Sequence, residues 1–146
     1  MKITQISVFL ENRQGRLYDV CSLLGDNDVN IRALTIAETE SFGVLRIVVD
    51  KSDFAIKLLR ENQFVANFTD VVAIEVPDKP GGLAEILEVI EQAAVNVEYV
   101  YAFTIKHQGQ GLLVFRFNDP DAAIKALQAR DVDVLGHDEL HRRLTE

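Results

Sequence analysis

Apolar residues recur along the chain with two different periods. Over residues 6–10 every second position is apolar, which is the period of a strand, whereas residues 17–24 carry apolar side chains at the i, i+3, i+4 and i+7 positions of a helical stripe. The first part of the chain therefore predicts, in order, a strand at 6–10, a helix at 17–24, strands at 29–37 and 44–49, a helix from 52 and a short strand at 64–65. This order is β-α-β-β-α-β.

The same pattern occurs a second time. Gly15 and Gly81 are 66 residues apart, and from the middle of each half onward the offset is 68. The change of two residues places an insertion in a turn around 106–110, where insertions are well tolerated. The second half repeats all six elements. Its second helix is expected to begin at 119–120, where an N-cap aspartate precedes a proline, and its last strand is expected at 132–134.

The repeated unit has a preferred fold. Two right-handed β-α-β crossovers place both helices on one face of an antiparallel sheet. The expected fold class is therefore α+β, with two ferredoxin-like domains at residues 1–69 and 70–146. Residues 67–70 have no linker character, so we expect the domains to pack side by side into one joined antiparallel sheet, with the helices on one face and two strand edges covered. Residues 141–146 are interpreted as a short polar tail.

Composition narrows the classes of function. The chain has 15 Lys and Arg against 23 Asp and Glu, a net charge of −8. An acidic chain repels phosphate backbones and anionic lipids, so we expect neither a nucleic-acid nor a membrane partner. The single cysteine allows no intramolecular disulfide and no zinc site built from paired cysteines. Because no apolar run reaches membrane-spanning length and the start lacks a signal-peptide pattern, the expected location is the cytoplasm.

The first strand-to-helix turn of each half is the main candidate for chemistry. Gly15 and Gly81 each stand where the strand gives way to the helix. Free N–H groups and the positive end of the helix dipole can accept a carboxylate there, and a glycine lets a ligand approach the backbone. The simpler interpretation, that the glycines merely permit a tight turn, stays open. Asn30 and Asn96 are either turn residues or amide groups that hold a ligand.

These residues resemble the signature of the ACT domain, which is Asp-x-Pro-Gly-x-Leu followed by a triplet of a small residue, Asn and an aliphatic residue. The second half carries it as Asp78-Lys79-Pro80-Gly81-Gly82-Leu83, with Val95-Asn96-Val97. The first half has Asn12-Arg13-Gln14-Gly15-Arg16-Leu17, with Val29-Asn30-Ile31. Here Asn12 and Gln14 replace the aspartate and the proline. The two copies cover nearly the whole chain.

The resemblance implies a non-catalytic regulatory protein that binds a small ligand, most often an amino acid, where two paired domains meet. In such domains the ligand lies between the turn of one domain and the start of the second strand of its neighbour. Carried over by position, the ligand-binding residues are Asn12, Gln14, Gly15, Arg16, Leu17, Asn30 and Ile31 in the first half and Asp78, Pro80, Gly81, Gly82, Leu83, Asn96 and Val97 in the second. Because the first turn departs from the pattern, the two pockets need not be equally occupied. No cofactor is implied.

Other functions stay open. An ACT-like pair that has lost its ligand could act as a dimerisation scaffold, so the candidate partners are a small molecule, a second copy of the chain, or a separate enzyme or regulator. An enzyme would need an activated nucleophile or a metal site, but Cys21 lies on an apolar helical stripe, and His137 with His141 lacks a third ligand. RNA binding would need a basic third strand with exposed aromatic residues, which the chain lacks. Three aromatic residues alternate along one strand face and are expected to pack against a helix or the other domain, and a share in the ligand pocket stays open: Tyr99, Tyr101 and Phe103.

Overall fold

The elements of the chain follow the predicted order. The computed structural model describes residues 1–38 and 41–145, and of residues 105–107 the backbone only. Its elements are β1 (Ile3–Glu11), α1 (Arg16–Asp26), β2 (Ile31–Glu38), β3 (Phe42–Val49), α2 (Ser52–Glu61), β4 (Val65–Pro77), α3 (Gly82–Gln92), β5 (Val97–His107), β6 (Gln110–Phe117), α4 (Pro120–Ala129), β7 (Val134–Leu135) and α5 (His137–Thr145). The repeated β-α-β-β-α-β order is confirmed. No helix in the described part of the chain has the length and apolar character needed to cross a membrane.

Two compact units make up the chain. The first unit is Thr4–Thr69, and the second unit is Asp70–Glu146 together with Met1–Ile3. Lys2 forms an ion pair with Asp121 at 3.2 Å, which ties the start of the chain to α4 in the second unit. β4 closes the first repeat and opens the second, so the residues expected to form a connection, 67–70, lie within a strand.

Three strands of each unit pair in the same order. In the first unit β3 lies between β1 and β2 and is antiparallel to both. In the second unit β6 lies between β4 and β5, and β4 also pairs with β7, again antiparallel. Val8 pairs with Leu45 and Ile74 pairs with Leu113, so the equivalent positions of the two repeats hold the same register.

Each unit has a core between its sheet and its first two helices. In the first unit the buried side chains of β1 and β3 pack with those of α1 and α2, including Val20 and Leu59. In the second unit α3 and α4 cover the sheet in the same way, and Phe115 and Phe117 stack at 5.4 Å between ring centroids. Fully burying a large apolar side chain contributes about 1.5–3 kcal/mol. Each unit is therefore compact because it has a core of its own.

The last short strand of the second repeat begins later than predicted. The second repeat was expected to end in a strand at 132–134, but β7 begins only at Val134. The reason lies in the end of α4, where Asp131 takes a left-handed φ of 57° and the N–H of Val132 still donates to the carbonyl of Leu127 at 3.0 Å. The chain leaves the helix through these residues before it can pair with β4.

α5 is a helix where a polar tail was expected. It spans His137–Thr145, so the prediction of a tail is wrong for residues 141–145, and residue 146 lies outside the described part of the chain. Leu140 and Leu144 lie one helical turn apart and are buried, with exposed fractions of 5% and 9%. Two leucines among polar neighbours make a narrow apolar stripe, which the sequence interpretation overlooked.

α5 covers the face of the second sheet that α3 and α4 leave uncovered. Arg143 forms an ion pair with Glu75, which alternates along β4 with residues of the core and therefore points to the opposite face. α5 also packs on β5, where Tyr101 and Phe103 are buried. The packing of Tyr99, Tyr101 and Phe103 against a helix or the other domain stays a prediction. The prediction that all helices lie on one face is wrong for α5.

Candidate ligand-binding turns

The two strand-to-helix turns have the same backbone geometry. Gly15 has a φ of 91° and Gly81 a φ of 83°, and each stands directly before its helix. Side chains are strained in this left-handed region, so the backbone alone accounts for glycine at both positions. The glycines therefore do not by themselves decide between a tight turn and a ligand site.

Each turn is fastened to the neighbouring hairpin of its own unit. The N–H of Asn12 donates to the carbonyl of Ser41 at 3.0 Å, and the N–H of Asp78 donates to the carbonyl of Gly109 at 3.3 Å. The turns are thus held by β-hairpins that the repeat places at equivalent positions. The remaining predicted turn residues Gln14, Pro80, Leu17 and Leu83 are exposed, and the exposed fraction of both leucines is 39%.

Backbone N–H groups are available at the start of both helices. In α1 the N–H groups of Leu17 and Tyr18 donate to no acceptor within the described residues. The same holds in α3 for Leu83 and Ala84. By contrast, α4 starts at a capping aspartate whose carboxylate accepts a backbone N–H at 3.1 Å. The starts of α1 and α3 therefore offer paired donors to an anion from outside the chain.

The two asparagines lie at the start of the second strand of each repeat. The N–H of Asn30 donates to the carboxylate of Asp50 at 3.0 Å, and the N–H of Asn96 donates to the side-chain oxygen of Asn118 at 2.9 Å. These side-chain partners were missed in the sequence, although they stand at equivalent positions of the repeat. The left-handed residue of this turn is not the asparagine but the residue two positions earlier, Asp28 or Ala94.

The amide side chains of both asparagines remain available. Asn30 and Asn96 are exposed, and among residues 1–38 and 41–145 their side-chain amides have no hydrogen-bond partner. Ile31 and Val97, which follow them, are half-buried at the edge of the core. An amide oxygen and nitrogen beside an apolar surface can hold a charged group and the start of an aliphatic chain.

Within one unit the turn and the asparagine lie at opposite ends of the sheet. Glu11, before the first turn, pairs with Phe42, whereas Ile31, after Asn30, pairs with Val49. Phe42 and Val49 are seven residues apart on β3, which corresponds to about 23 Å of strand. The second unit repeats this separation along β6, where Pro77 pairs with Gln110 and Val97 pairs with Phe117. A single unit therefore does not bring its own turn and asparagine together.

Comparison with known proteins decides the family. A family model described as an ACT domain pair matches residues 1–144. The chain belongs to the ACT domain pair family. The resemblance seen in the two glycine turns is thereby confirmed over nearly the whole chain. The comparison with curated proteins gave no match.

Solved structures support the ACT fold. Protein BT0572 from Bacteroides thetaiotaomicron is 38% identical, with 96% of each chain covered and a TM-score of 0.90. The ligand-free regulatory subunit of aspartate kinase from Thermus thermophilus is 15% identical, with 86% of this chain and 91% of that chain covered and a TM-score of 0.62. The corresponding subunit from Thermus flavus is 13% identical, with 86% and 90% covered and a TM-score of 0.57. At these identities the two kinase subunits show a shared fold alone.

The two ACT turns also differ at the first residue of the helix that follows them. Arg16 in the first repeat corresponds to Gly82 in the second. The Arg16 guanidinium lies 4.6 Å above the ring of Phe64, and one of its nitrogens is 3.3 Å from the carboxylate of Asp19. A side chain at Gly82 would have no such room, because its Cβ would lie 2.1 Å from the carbonyl oxygen of Pro77. The departure of the first turn from the ACT pattern is thus a structural difference as well as a difference in sequence.

Groups suited to covalent or metal chemistry are placed away from the turns. Cys21 is half-buried on α1, and burial raises the pKa of its thiol, so it is protonated at neutral pH. His137 and His141 are exposed on α5. Within the described residues, no group of three or more His, Cys, Asp or Glu side chains is arranged to hold a metal ion.

Proposed function

We propose that the chain is a non-catalytic regulatory protein that binds a free amino acid between its two ACT units. The observation that carries the proposal is the separation of about 23 Å between turn and asparagine within each unit. A pocket that uses both must take the turn from one unit and the asparagine from the other. Two units set side by side with opposite direction, in a joined sheet, would meet this requirement twice.

The available groups match the two ends of an amino acid. The paired N–H groups at the start of α1 or α3 would receive the carboxylate. The amide oxygen of Asn96 or Asn30, with a backbone carbonyl, would receive the ammonium group. Both charges need partners, because an unpaired charge taken out of water costs several kcal/mol. The half-buried Ile31 and Val97 would lie beside the ligand's side chain.

A thermal-denaturation screen of the intact chain against the common amino acids tests this function. A ligand at a hundredfold its dissociation constant adds about 2.7 kcal/mol of stability. At about 2–4 °C per kcal/mol for a chain of this size, the melting temperature should rise by roughly 5–11 °C. If no amino acid shifts the melting temperature or gives heat in calorimetry, the ligand-binding proposal is wrong, and the scaffold alternative is left.

The turn itself is tested with asparagine in place of glycine. Gly81→Asn adds a side chain over the free N–H groups of α3 at a φ that asparagine tolerates better than other residues. We expect the affinity for the amino acid to fall at least tenfold at that site. Gly109→Asn, at a φ of 75° in the β5–β6 hairpin, is the matched control for backbone strain. Equal affinities in the two variants would show that the ligand lies elsewhere.

A further inference from the structure

A cavity of about 720 Å³ lies within the second unit, and its lining includes neither Leu83 nor Ala84, whose N–H groups are free. It is bounded by α3, by the end of β4 and by the segment that joins α4 to β7. Its volume falls in the range of sites that hold small molecules. None of the roles described so far uses it.

The first repeat fills the equivalent place with its own side chain. The guanidinium of Arg16 contacts Phe64 and Asp19. The repeat offsets of 68 and 66 residues make Val132 and Glu85 their counterparts, and both line the cavity. The counterpart of Arg16 is a glycine that has no room for a side chain. The second repeat therefore leaves open a space that a guanidinium occupies in the first.

The walls of the cavity suit a cation on an aliphatic stem. Ile86, Val89 and Val132 provide apolar surface, and the carboxylates of Glu85, Glu88 and Asp131 lie around it. An alkyl chain can lie on the apolar surface while its charged end meets the carboxylates, as the side chains of Arg and Lys do on protein surfaces. Lys79 approaches Glu85 only to 4.0 Å.

The two arginines on the cavity wall already have partners. Arg143 pairs with Glu75 and donates to Glu139 at 2.7 Å. Arg130 donates to the side-chain oxygen of Gln92 at 2.6 Å. The lining holds five carboxylates against these two guanidinium groups, so an external cation meets a net negative charge there.

We propose that this cavity binds a free organic cation with an alkyl guanidinium or alkyl ammonium group. Its lining includes none of the residues proposed for the amino-acid site, and the ligand needs no carboxylate. The acidic groups are exposed, so binding is expected to weaken as salt is added.

Titration of the full chain with butylguanidinium and agmatine, followed by amide NMR, tests the proposal. Saturable shifts are expected at Ile86, Val89 and Val132 below about 10 mM ligand. Butylurea, which has nearly the same shape without the charge, should cause none of them. Absence of saturable shifts with the cations, or equal shifts with butylurea, would overturn the proposal.

A double variant isolates the charges. Glu88→Gln with Asp131→Asn removes two carboxylates with little change of volume, and asparagine suits the left-handed φ of 57° at position 131. The affinity for butylguanidinium should fall about fivefold to tenfold, as expected for two exposed charge pairs. Glu91→Gln, on the same helix outside the cavity, makes an equivalent change and should have no effect. An unchanged affinity in the double variant would overturn the proposal.

The two proposed sites can be told apart. Gly81→Asn should lower the affinity for the amino acid at that turn at least tenfold and leave butylguanidinium binding intact. If Gly81→Asn instead abolished the binding of butylguanidinium, the cation would be bound at the turn, and the cavity proposal would be wrong while the turn site remained. Binding of butylguanidinium without any amino-acid response would support the cavity and count against the proposed amino-acid site.

Discussion

Gly82→Ala tests how closely α3 is seated against the end of β4. A Cβ at this position would lie 2.1 Å from the carbonyl oxygen of Pro77, well inside the 3.0 Å below which Cβ contacts essentially never occur. The carbonyl is held in place, because it accepts the N–H of Lys79 at 2.9 Å and because Pro77 pairs with Gln110 on β6. The start of the helix or the end of the strand must therefore move by about 1 Å.

Gly82→Ala should destabilise the protein, whereas the replacement of glycine by alanine in a helix usually stabilises it. Overpacking costs about 1–3 kcal/mol. Because the atom in the way belongs to the backbone and cannot rotate aside, we expect Gly82→Ala to lie at the upper end of this range. Alanine in a helix gains up to about 1 kcal/mol over glycine, which leaves a net loss of about 2 kcal/mol. Thermal denaturation should show a melting temperature lower by about 4–8 °C.

Gly25→Ala is the matched control for that measurement. Gly25 lies in α1, and its Cβ would meet nothing within 4 Å, so this variant should gain about 0.5–1 kcal/mol. A Gly82→Ala protein that is as stable as the wild type, or that is stabilised like Gly25→Ala, would refute the argument. It would show that the turn yields to the methyl group.

Three further outcomes are expected. Arg16→Ala should lower the free energy of unfolding in urea by about 0.5–2 kcal/mol, because it removes the cation from the ring of Phe64, and Arg16→Lys should recover part of the loss. Asp119→Ala should cost about 1 kcal/mol in the same assay, because it removes the capping hydrogen bond of α4. Hydrogen bonds from two arginines of α5 lower the pKa of Glu139, so its stabilising effect is present at neutral pH and is lost as the pH falls below about 4. NMR signals of α5 should show this release on acidification, and Glu139→Gln should remove that part of the pH dependence.

The repeat and its elements could be predicted because they follow from local rules. A period of two or of 3.6 residues fixes the type of element, and the glycines at 15 and 81 mark backbone that only glycine adopts easily. The two copies also test each other, because an element assigned wrongly in one repeat would not recur at the same offset in the other. The ACT resemblance could be recognised for the same reason, because its motif occurs in both repeats.

The features that could not be predicted depend on contacts between distant residues. α5 has only two buried leucines, and its place is fixed by β5 and by the pairing of Arg143 with Glu75. The position of Arg16 over Phe64 joins residues 48 positions apart. Arg16 was predicted to bind the ligand because of its place in the motif, but its guanidinium lies over an aromatic ring of its own unit. The motif contains no information about that contact.

The spacing within each unit also limits how an ACT ligand could act. A free amino acid is several times shorter than the 23 Å or so between the turn and the asparagine of one unit. Under the proposed function, a ligand that contacts both groups is therefore bound only while two units are paired. Its binding energy then favours the paired arrangement over any other, and a ligand shifts an equilibrium only by its difference in affinity between two states. Substituting Asn96 while leaving the first repeat intact should accordingly weaken the response that depends on the turn at Gly15, although the two lie in different units.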